Sequence, residues 1–491
     1  MINNLFSEIV NGVDVRQNLS QLRQEIRDNR IKEEVSELVE EHEEYIRNLL
    51  KAEDPKIRKN TVLLIGDLGK NEFLDDVFAA YLAEEQLFVK SAYLNALEGL
   101  SYESYLPQLK ERIQILEAVE ITEENRKHIA SEMRELSELV VKVEGISKHK
   151  FTGYHKEAEL MVLTNRLHIQ ATMDQIQDGE TFATSAGFRL KTKNIEEVLE
   201  LRTYQEILFL VPGMHNAPMD PVLAAQKITD SELLTFLEKR HNGRAPFHFR
   251  IEIKSKMPLN KKSFFAKKIA SEIERNTKRK LVNSTTNYEM ELRFIENKEG
   301  SFNLLLKLFT IPDERFSYRK EHIANSIKPV NAALLVELAK PYMIEDARVL
   351  DPFCGVATML IERQMVVKAN TSYGIDILSD AIEKAKINTE AAGQIIHFVN
   401  RDFFDFTHDY RFDEIFTNMP FAIGRKTEEE IYDIYEGFFR RAKSFLEKEG
   451  KIIMYTHNRD YVIRLAKENG YVILKEFNIL AKEETQLFII K

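Results

Sequence analysis

The feature that most constrains the fold is the alternation of short apolar segments with amphipathic helical segments from Val330 onward. Apolar runs such as ARVLD, SYGID and IIHFV predict strands, and runs such as ATMLIERQMVV and SDAIEKAKINTEAAG predict the helices between them. Consecutive parallel strands need long crossover connections, which helices supply. The alternation therefore predicts an α/β domain with a doubly wound parallel sheet, whose ligands bind at the carboxyl ends of the strands.

An acidic residue stands at the end of each of the first three predicted strands. In VLDPFCGVAT, Asp351 follows the apolar run and Gly355 allows a tight turn, so backbone N–H groups can approach a ligand. Asp376 ends the second strand, where an acid can bind ribose hydroxyls, and Asp402 ends the third, where it can meet an adenine amine. The loop lacks the GxGxxG spacing of dinucleotide folds and the GK[ST] of a P-loop. The ligand that fits is a nucleoside without a phosphate tail, such as S-adenosylmethionine (SAM), with its methionine end at Asp351.

The stretch DPFCGVAT, residues 351–358, resembles the first motif of class I SAM-dependent methyltransferases that modify RNA. That family usually has glycine where this chain has Ala357. The segment RFSYRKEHIANSIKPVNAALL, residues 315–335, resembles the part of the same family that closes over the methionine end of SAM. The resemblance implies a Rossmann-like domain and the following cofactor-binding residues: Asp351, Pro352, Phe353, Cys354, Gly355, Asp376, Ile377, Asp402, Phe403, Pro329 and Asn331.

The fourth predicted strand ends in TNMPF, which resembles the Asn/Asp-Pro-Pro-Tyr/Phe motif of enzymes that methylate exocyclic amines. The resemblance implies that the Asn418 side-chain oxygen and the Met419 carbonyl accept the two amine hydrogens. It also implies that Pro420 stiffens the turn and that Phe421 stacks on the base. Met419 stands where the common motif has its first proline. The order Asn, apolar residue, Pro, Phe is similar to guanine-N2 tRNA enzymes, which favours guanine N2 over adenine N6.

Cys354 is the only cysteine of the 491-residue chain. A disulfide framework and a cysteine-based metal site within the chain are therefore excluded, and a reducing cytoplasm is the expected compartment. Methylation of pyrimidine C5 needs a cysteine that attacks the ring. Because Cys354 lies in the predicted cofactor loop, we expect direct transfer without a covalent intermediate. We expect no metal site, no membrane span and no signal peptide, since the sequence has no long uncharged apolar run and no basic, apolar start.

The net charge of −10 conceals a basic module. Residues 1–140 contain 17 Lys and Arg against 29 Asp and Glu, whereas residues 246–320 contain 17 against 9. The second segment begins with a predicted strand, FHFRIEIKSK, followed by a basic amphipathic helix, KKSFFAKKIASEIERNTKRK, and two further strands. The expected buried face of the helix consists of Phe264, Phe265, Ile269 and Ile273.

This order of elements and this charge resemble the THUMP domain, an RNA-binding module of tRNA and rRNA modification enzymes. A solvated lysine-rich face is the alternative interpretation. The resemblance implies that phosphates are contacted by Lys254, Lys261, Lys262, Lys267, Lys268, Lys278, Arg279 and Lys280, with Arg425 at the mouth of the catalytic site.

The first 140 residues are predicted to be helical and to contain a repeat. The segment KAEDPKIRKNTVLLIGDLG, in which Asp54 and Pro55 predict a helix start, has a pattern that recurs 32 residues later, with Leu68 aligned to Leu100. Repeated helical units are typical of α-solenoids, and the Asp-Pro-x-x-Arg opening resembles HEAT repeats. A plain helical bundle is the alternative. Because this region is acidic, we expect it to contact protein rather than phosphate.

The expected domains are a helical HEAT-like repeat region over 1–147, an α+β support domain over 148–245, a THUMP-like module over 246–320 and a methyltransferase domain over 321–491. The function that these resemblances imply is SAM-dependent methylation of guanine N2 in tRNA, by a cytoplasmic enzyme with a protein partner at its N-terminal repeats. The alternatives are guanine N2 of rRNA, adenine N6 of a nucleic acid, a glutamine side chain of a protein, and a repeat scaffold whose methyltransferase domain is inactive.

Overall fold

The structure, a computed structural model, describes residues 2–119, 122, 124–145, 149–214, 216–243, 246–324, 326–422 and 427–491. The chain forms two compact units, Met1–Lys148 and His149–Lys491. Within the described residues, no helix is long and apolar enough to cross a membrane.

The first unit is helical over its described residues, as the sequence predicts. Its helices are α1 (Ile2–Val10), α2 (Val15–Glu25), α3 (Asn29–Glu41), α4 (Glu43–Leu49), α5 (Pro55–Leu68), α6 (Leu74–Ala83), α7 (Leu87–Leu97), α8 (Leu106–Ala118) and α9 (Arg126–Glu144). The Asp54 carboxylate caps α5 by accepting the Lys56 N–H at 2.8 Å. The repeated segments form α5 and α7, which pack so closely that a Cβ on Gly66 would lie 2.5 Å from the Ala96 Cα. The resemblance to HEAT repeats stays a prediction.

The second unit contains two large sheets. Within the described residues the first has nine strands, in the order β2-β3-β1-β4-β9-β8-β6-β7, and β5 pairs with β9. Its elements are β1 (Ala158–Leu163), α10 (Ile169–Met173), β2 (Glu180–Thr184), β3 (Gly187–Thr192), α11 (Ile195–Glu200), β4 (Glu206–Leu210), β5 (Asn216–Ala217), α12 (Pro221–Thr229), α13 (Leu233–Arg240), β6 (Phe247–Lys254), α14 (Leu259–Asn276), β7 (Leu281–Asn283), β8 (Met290–Glu296) and β9 (Phe302–Leu308). Strands from both predicted segments, 148–245 and 246–320, belong to this one sheet, because β4 pairs with β9.

The basic helix α14 buries a narrower face than the sequence predicts. Phe265, Ile269 and Ile273 recur at a spacing of four residues and are buried as expected. Phe264 is 67% exposed, so the expectation that it is buried is wrong. Successive helical residues are about 100° apart around the axis, and Phe264 therefore lies off the stripe that Phe265 begins. Its ring is left among the lysines of the helix surface.

The second sheet has seven strands within the described residues, in the order β12-β11-β10-β13-β14-β16-β15. Its elements are α15 (Pro329–Ala339), β10 (Ala347–Asp351), α16 (Thr358–Val366), β11 (Ala369–Asp376), α17 (Ser379–Ala391), β12 (His397–Asn400), β13 (Phe412–Asn418), α18 (Glu428–Phe445), β14 (Leu446–Thr456), α19 (Arg459–Glu468), β15 (Ile473–Leu480) and β16 (Thr485–Ile490). The strands β10 to β14 are parallel, which confirms the predicted α/β domain.

The last two strands depart from the predicted parallel sheet. Strand β16 is antiparallel to both β14 and β15. The turn between β15 and β16, residues 481–484, is too short for a crossover, and a short connection joins only antiparallel strands. Because Thr456 at the end of β14 pairs with Gln486 at the start of β16, this turn lies at the carboxyl edge of the parallel strands.

Candidate active site

A cavity of about 540 Å³ lies at the carboxyl edge of the seven-stranded sheet, where β10, β11 and β13 end at Asp351, Asp376 and Asn418. It is lined by all the predicted catalytic residues and by most of the predicted cofactor-binding residues: Asp351, Pro352, Phe353, Cys354, Gly355, Asp376, Ile377, Asp402, Phe403, Asn418, Met419, Pro420 and Phe421. Residues that are distant in sequence thus meet at one edge, as the carboxyl ends of parallel strands do.

Two predicted cofactor residues are not among the described residues that line this cavity. Pro329 is the first residue of α15, a position that its fixed φ suits. Asn331 lines an adjacent cavity instead. The segment before α15 contributes Ile323, Ser326 and Ile327 to the first cavity. The segment that the sequence singled out therefore reaches the cavity, but through residues upstream of the helix start.

The two oxygens of the Asp351 carboxyl differ in their surroundings. Its Oδ1 accepts hydrogen bonds from the Thr417 hydroxyl at 2.7 Å and from the Phe353 N–H at 3.1 Å. Its Oδ2 is buried, and no described residue forms a hydrogen bond with it. Burial raises the pKa of the Asp351 carboxyl to about 7. A buried acceptor without a partner is costly, and a cationic ligand group would remove that cost.

The turn after β10 is held by Asp376 from the neighbouring strand. The Asp376 Oδ2 accepts the Gly355 N–H at 2.9 Å, and its Oδ1 accepts the Leu378 N–H at 2.9 Å. Gly355 and Ala357 have φ angles of 52° and 65°, in the left-handed region that favours glycine. Ala357 therefore has the left-handed backbone conformation that suits the glycine of the methyltransferase motif, and alanine adopts it with a modest strain.

Cys354 forms part of the cavity wall and is poorly suited to act as a nucleophile. Its side chain is buried, and a Cβ added to Gly374 would lie 2.9 Å from its Sγ, so the thiol fills a tight space. Burial, together with the nearby Asp351 carboxylate, raises the pKa of the thiol well above its ordinary value. A neutral thiol is therefore present near pH 7, which supports direct transfer.

The loop after β13 presents Asn418 to the cavity and is anchored by Met419. The Asn418 Oδ1 is buried and has no hydrogen-bond partner among the residues that the structure describes. The Met419 side chain is packed in the core, and its N–H donates to the Tyr455 carbonyl at 2.9 Å. A proline has no N–H to donate, so Met419 secures the loop by a bond that the common motif cannot make. Phe421 stacks on His457, with ring centroids 4.1 Å apart and planes at 26°.

A second cavity, of about 550 Å³, adjoins the first and shares Ser326, Ile327, Asn418 and Phe421 with it. Its lining also includes Gln205, Lys328, Asn331, Tyr455, His457 and Glu483. His457 was not among the residues predicted from the sequence, because a single histidine after a strand carries no distinctive spacing. Asn418 lines both cavities, so a group bound in either one can reach its side chain.

None of the predicted RNA-binding residues that the structure describes lines either of these two cavities. Exposed among them are Lys254, Lys261, Lys267, Lys268, Lys278 and Lys280, while Lys262 and Arg279 are half-buried. The acids that pair with three of them are Glu252 with Lys254, Glu272 with Lys268 and Glu274 with Arg279. Arg425 lies outside the described residues.

Comparison with known proteins agrees with this geometry. Residues 317–485 match the model of the UPF0020 family, described as an RMKL-like methyltransferase domain. TrmN from Thermus thermophilus is 18% identical, with a TM-score of 0.52, over 68% of this chain and 99% of that one. SMU.472, complexed with SAH, is 15% identical, with a TM-score of 0.52, over 68% and 98%. A structure from Listeria monocytogenes, described as a predicted N6-adenine-specific DNA methylase, is 16% identical, with a TM-score of 0.51, over 68% and 96%.

The C-terminal domain therefore has the class I methyltransferase fold, and SAM is its cofactor. The residues of the first cavity fit this cofactor, because the buried Asp351 Oδ2 has no partner among the described residues, Asp351 and Asp376 end β10 and β11, and Asp402 follows the end of β12. Within the described residues, no group of three or more His, Cys, Asp or Glu side chains is arranged to hold a metal ion.

Proposed function

We propose that the protein transfers a methyl group from SAM to N2 of a guanine in tRNA. The observation that carries the proposal is the Asn418 Oδ1, a buried acceptor that no other described residue partners, in a residue that lines both cavities. An exocyclic amine at this position supplies the hydrogen that the oxygen lacks. In this proposal the first cavity holds the cofactor and the second holds the target base.

The cofactor residues are assigned by the hydrogen-bond acceptors that they present to the first cavity. The Asp351 Oδ2 suits the ammonium of the methionine end, and the Asp376 carboxylate suits the ribose hydroxyls. Asp402 uses its Oδ1 to accept the Phe404 N–H at 2.9 Å, and we assign its other oxygen to the adenine amine. When bound, SAM supplies the methyl group.

The chain's own contribution to the reaction is to orient the amine. The lone pair of an aromatic amine is delocalised into the ring, which makes the amine a weak nucleophile. With the Asn418 Oδ1 and the Met419 carbonyl accepting its two hydrogens, the lone pair is directed out of the hydrogen-bonding plane and the base is held in one pose. Phe421 and His457 provide a flat surface beside it. The raised pKa of Cys354 agrees with a reaction that needs no covalent bond to the protein.

The basic helix α14 supports a nucleic-acid substrate. Its exposed lysines suit phosphate oxygens, and Phe264 is exposed among them. We assign residues 246–320 to a THUMP-like module that binds the RNA. We further propose that the acidic, HEAT-like residues 1–147 bind a protein partner and that the enzyme acts in the cytoplasm.

The proposal is tested by incubating the purified protein with labelled SAM and total RNA from cells that lack it. The RNA is separated by size, digested to nucleosides and read by mass spectrometry. We expect N2-methylguanosine in the tRNA fraction with the wild type, and none with Asn418→Ala. Label on adenosine would show that the target base is adenine and not guanine. Label in the rRNA fraction would show that the substrate is rRNA and not tRNA. No label in any RNA, despite SAM binding, would contradict an RNA substrate and direct the assay to protein glutamine.

A further inference from the structure

The second cavity has a set of side chains that suits a single nucleotide. Its described lining contains one cation, Lys328, and one acid, Glu483. A cation suits a phosphate, the stacked Phe421 and His457 suit the plane of a base, and the Asn418 oxygen suits an exocyclic amine. The acid has no partner in this scheme unless the base itself presents a further hydrogen-bond donor.

Glu483 is brought to this cavity by the hairpin of β15 and β16. The pairing of Thr456 with Gln486 places the turn at the carboxyl edge of the sheet, next to the end of β14. Within the turn, the Glu483 N–H donates to the Leu480 carbonyl at 3.1 Å. The Glu483 side chain is exposed, and its carboxylate is close enough to act electrostatically on both Tyr455 and His457.

His457 does not neutralise this carboxylate. Burial lowers the pKa of the His457 imidazole, although the Glu483 carboxylate beside it acts in the opposite sense. Near pH 7 the ring is therefore uncharged and stacks on Phe421 as a flat, weakly polar surface. The uncharged ring forms no ion pair with Glu483, whose carboxylate is left to accept a hydrogen bond from a ligand.

We propose that Glu483 selects guanine by accepting the hydrogen on guanine N1, an inference that rests on the proposed methylation of guanine N2. Guanine presents two adjacent donors, N1–H and the N2 amine, on its Watson–Crick edge. Adenine presents its N6 amine beside an unprotonated N1. When the reactive amine is bound at Asn418, the neighbouring ring atom is N1 in both bases. Guanine N1 carries a hydrogen that can be donated, whereas adenine N1 carries a lone pair. A carboxylate accepts and cannot donate, so Glu483 favours guanine and disfavours adenine.

The test uses RNA with either guanine or 2-aminopurine at the methylated position. The analogue 2-aminopurine keeps the N2 amine but has an unprotonated N1. With the wild type, we expect kcat/KM to be roughly 10- to 100-fold lower for 2-aminopurine than for guanine, because a charge-assisted hydrogen bond is lost. Glu483→Gln should lose about 10- to 100-fold on guanine. The amide of this variant can donate a hydrogen bond to the unprotonated N1 of 2-aminopurine. The ratio of kcat/KM for guanine to that for 2-aminopurine should therefore decrease or fall below one.

The matched control is Glu484→Gln. Glu484 is the next residue of the same turn and is also exposed, but it is not among the described residues that line the cavity. This variant should keep the wild-type preference, and both variants should bind SAM within about twofold of the wild type, because the change lies outside the first cavity. RNA affinity in the presence of SAH gives a readout that needs no turnover. The wild type should bind the guanine RNA more tightly than the 2-aminopurine RNA, and Glu483→Gln should lose that difference.

The outcomes separate this inference from the function on which it rests. A Glu483→Gln protein that prefers guanine as strongly as the wild type and Glu484→Gln would overturn the role of Glu483 and leave the methylation of guanine N2 standing. A wild-type protein that methylates adenine, or no RNA at all, would overturn both.

Discussion

In the proposed site, the buried Asp351 carboxyl should make cofactor binding depend on pH. One of its oxygens has no hydrogen-bond partner among the described residues, and burial raises its pKa from an ordinary value of 3.8 to about 7. A cationic group next to the carboxyl favours the ionised form and lowers this pKa again. Binding of SAM in weakly acidic solution should therefore release a proton from Asp351, so that affinity increases with pH until the carboxyl is fully ionised.

We predict that the affinity for SAM rises about five- to tenfold between pH 6 and pH 7.5, since a carboxyl with a pKa near 7 ionises over this range. Asp351→Asn should bind SAM weakly and without this slope. Isothermal titration at several pH values measures both proteins. The same slope in the two proteins would contradict the assignment.

The contribution of Asp351 to the stability of the free protein should change with pH in the opposite direction from the affinity for SAM: it should decrease as the pH rises. The unfolded carboxyl ionises near 3.8, whereas the folded one remains protonated up to about 7. The contribution of Asp351 to the free energy of unfolding is therefore complete below pH 3.8 and is lost as the pH rises to about 7.

Among the residues that line the two cavities, those that end a strand within a local motif, such as Asp376 and Asn418, could be located from the sequence, and their roles stay predictions. His457 and Glu483 could not be predicted in this way. They reach the site because β13 pairs with β14, with Asn418 opposite Tyr455, and because β16 pairs with β14 in turn. Such pairings between distant segments leave no local pattern in the sequence.

Among the elements, α16 and β13 are tied together by a buried ion pair. The Arg363 Nη2 lies 3.0 Å from the Glu414 Oε2, and both side chains are fully buried. Arg363 also donates to the carbonyls of Ile344 and Val367. Burial raises the pKa of Glu414, although Arg363 acts in the opposite sense. This pair attaches the helix that follows the cofactor loop to the strand that ends at Asn418.

We predict that Arg363→Met lowers the free energy of unfolding of the second unit by about 3–5 kcal/mol, because Glu414 is left buried without its counter-charge. The control is Arg348→Met, since Arg348 pairs with Asp413 and Glu447 at a partly exposed site. Its loss should cost about 1 kcal/mol or less. Chemical denaturation measures the free energy of unfolding of both variants, and the transition of the second unit is identified as the one that SAH stabilises. Equal losses in the two variants would contradict the idea that burial makes the Arg363–Glu414 pair important.

The lysines of α14 give a prediction about RNA affinity. Lys261→Glu combined with Lys267→Glu should weaken RNA binding about 10- to 100-fold at low salt. The double variant should also bind with a weaker salt dependence, because each lost phosphate contact lowers the slope of log affinity against log salt concentration by about one. The control reverses Lys384 and Lys386 on α17, a half-buried and an exposed lysine that pair with Asp380 and Glu383. A filter-binding titration at several salt concentrations compares them. An equal loss in the control would show that overall charge, and not α14, determines binding.

Helices and parallel strands were predictable as elements because their apolar residues recur at regular spacing. The exposure of Phe264 and the antiparallel direction of β16 were not. Two adjacent phenylalanines in a helix cannot both lie on a narrow apolar stripe, and only the packing decides which one is buried. The direction of β16 depends on the length of the turn before it, which the sequence pattern does not delimit.

In the second unit as a whole, Glu362 joins the nine-stranded sheet to the methyltransferase domain. The Arg202 guanidinium donates to the two Glu362 oxygens at 2.7 and 2.8 Å, and the Tyr318 hydroxyl donates to one of them at 2.6 Å. Glu362 is fully buried in α16, the helix that follows the cofactor loop. The domain that carries the basic helix is thereby fixed to α16, whose first residues line the first cavity, and this attachment suits the proposed placement of an RNA against that cavity.

The division of roles between the two cavities is tested most directly by isothermal titration with SAM. We predict that Asp376→Ala weakens SAM binding at least about tenfold, because it removes a ribose acceptor and the carboxylate that holds the Gly355 N–H. Asn418→Ala should bind SAM within about twofold of the wild type while losing methyl transfer, since its role lies with the amine. Asp380→Ala, an exposed acid on α17, is the control and should change nothing. Unchanged SAM affinity in Asp376→Ala, or an equal loss in Asn418→Ala, would contradict this division.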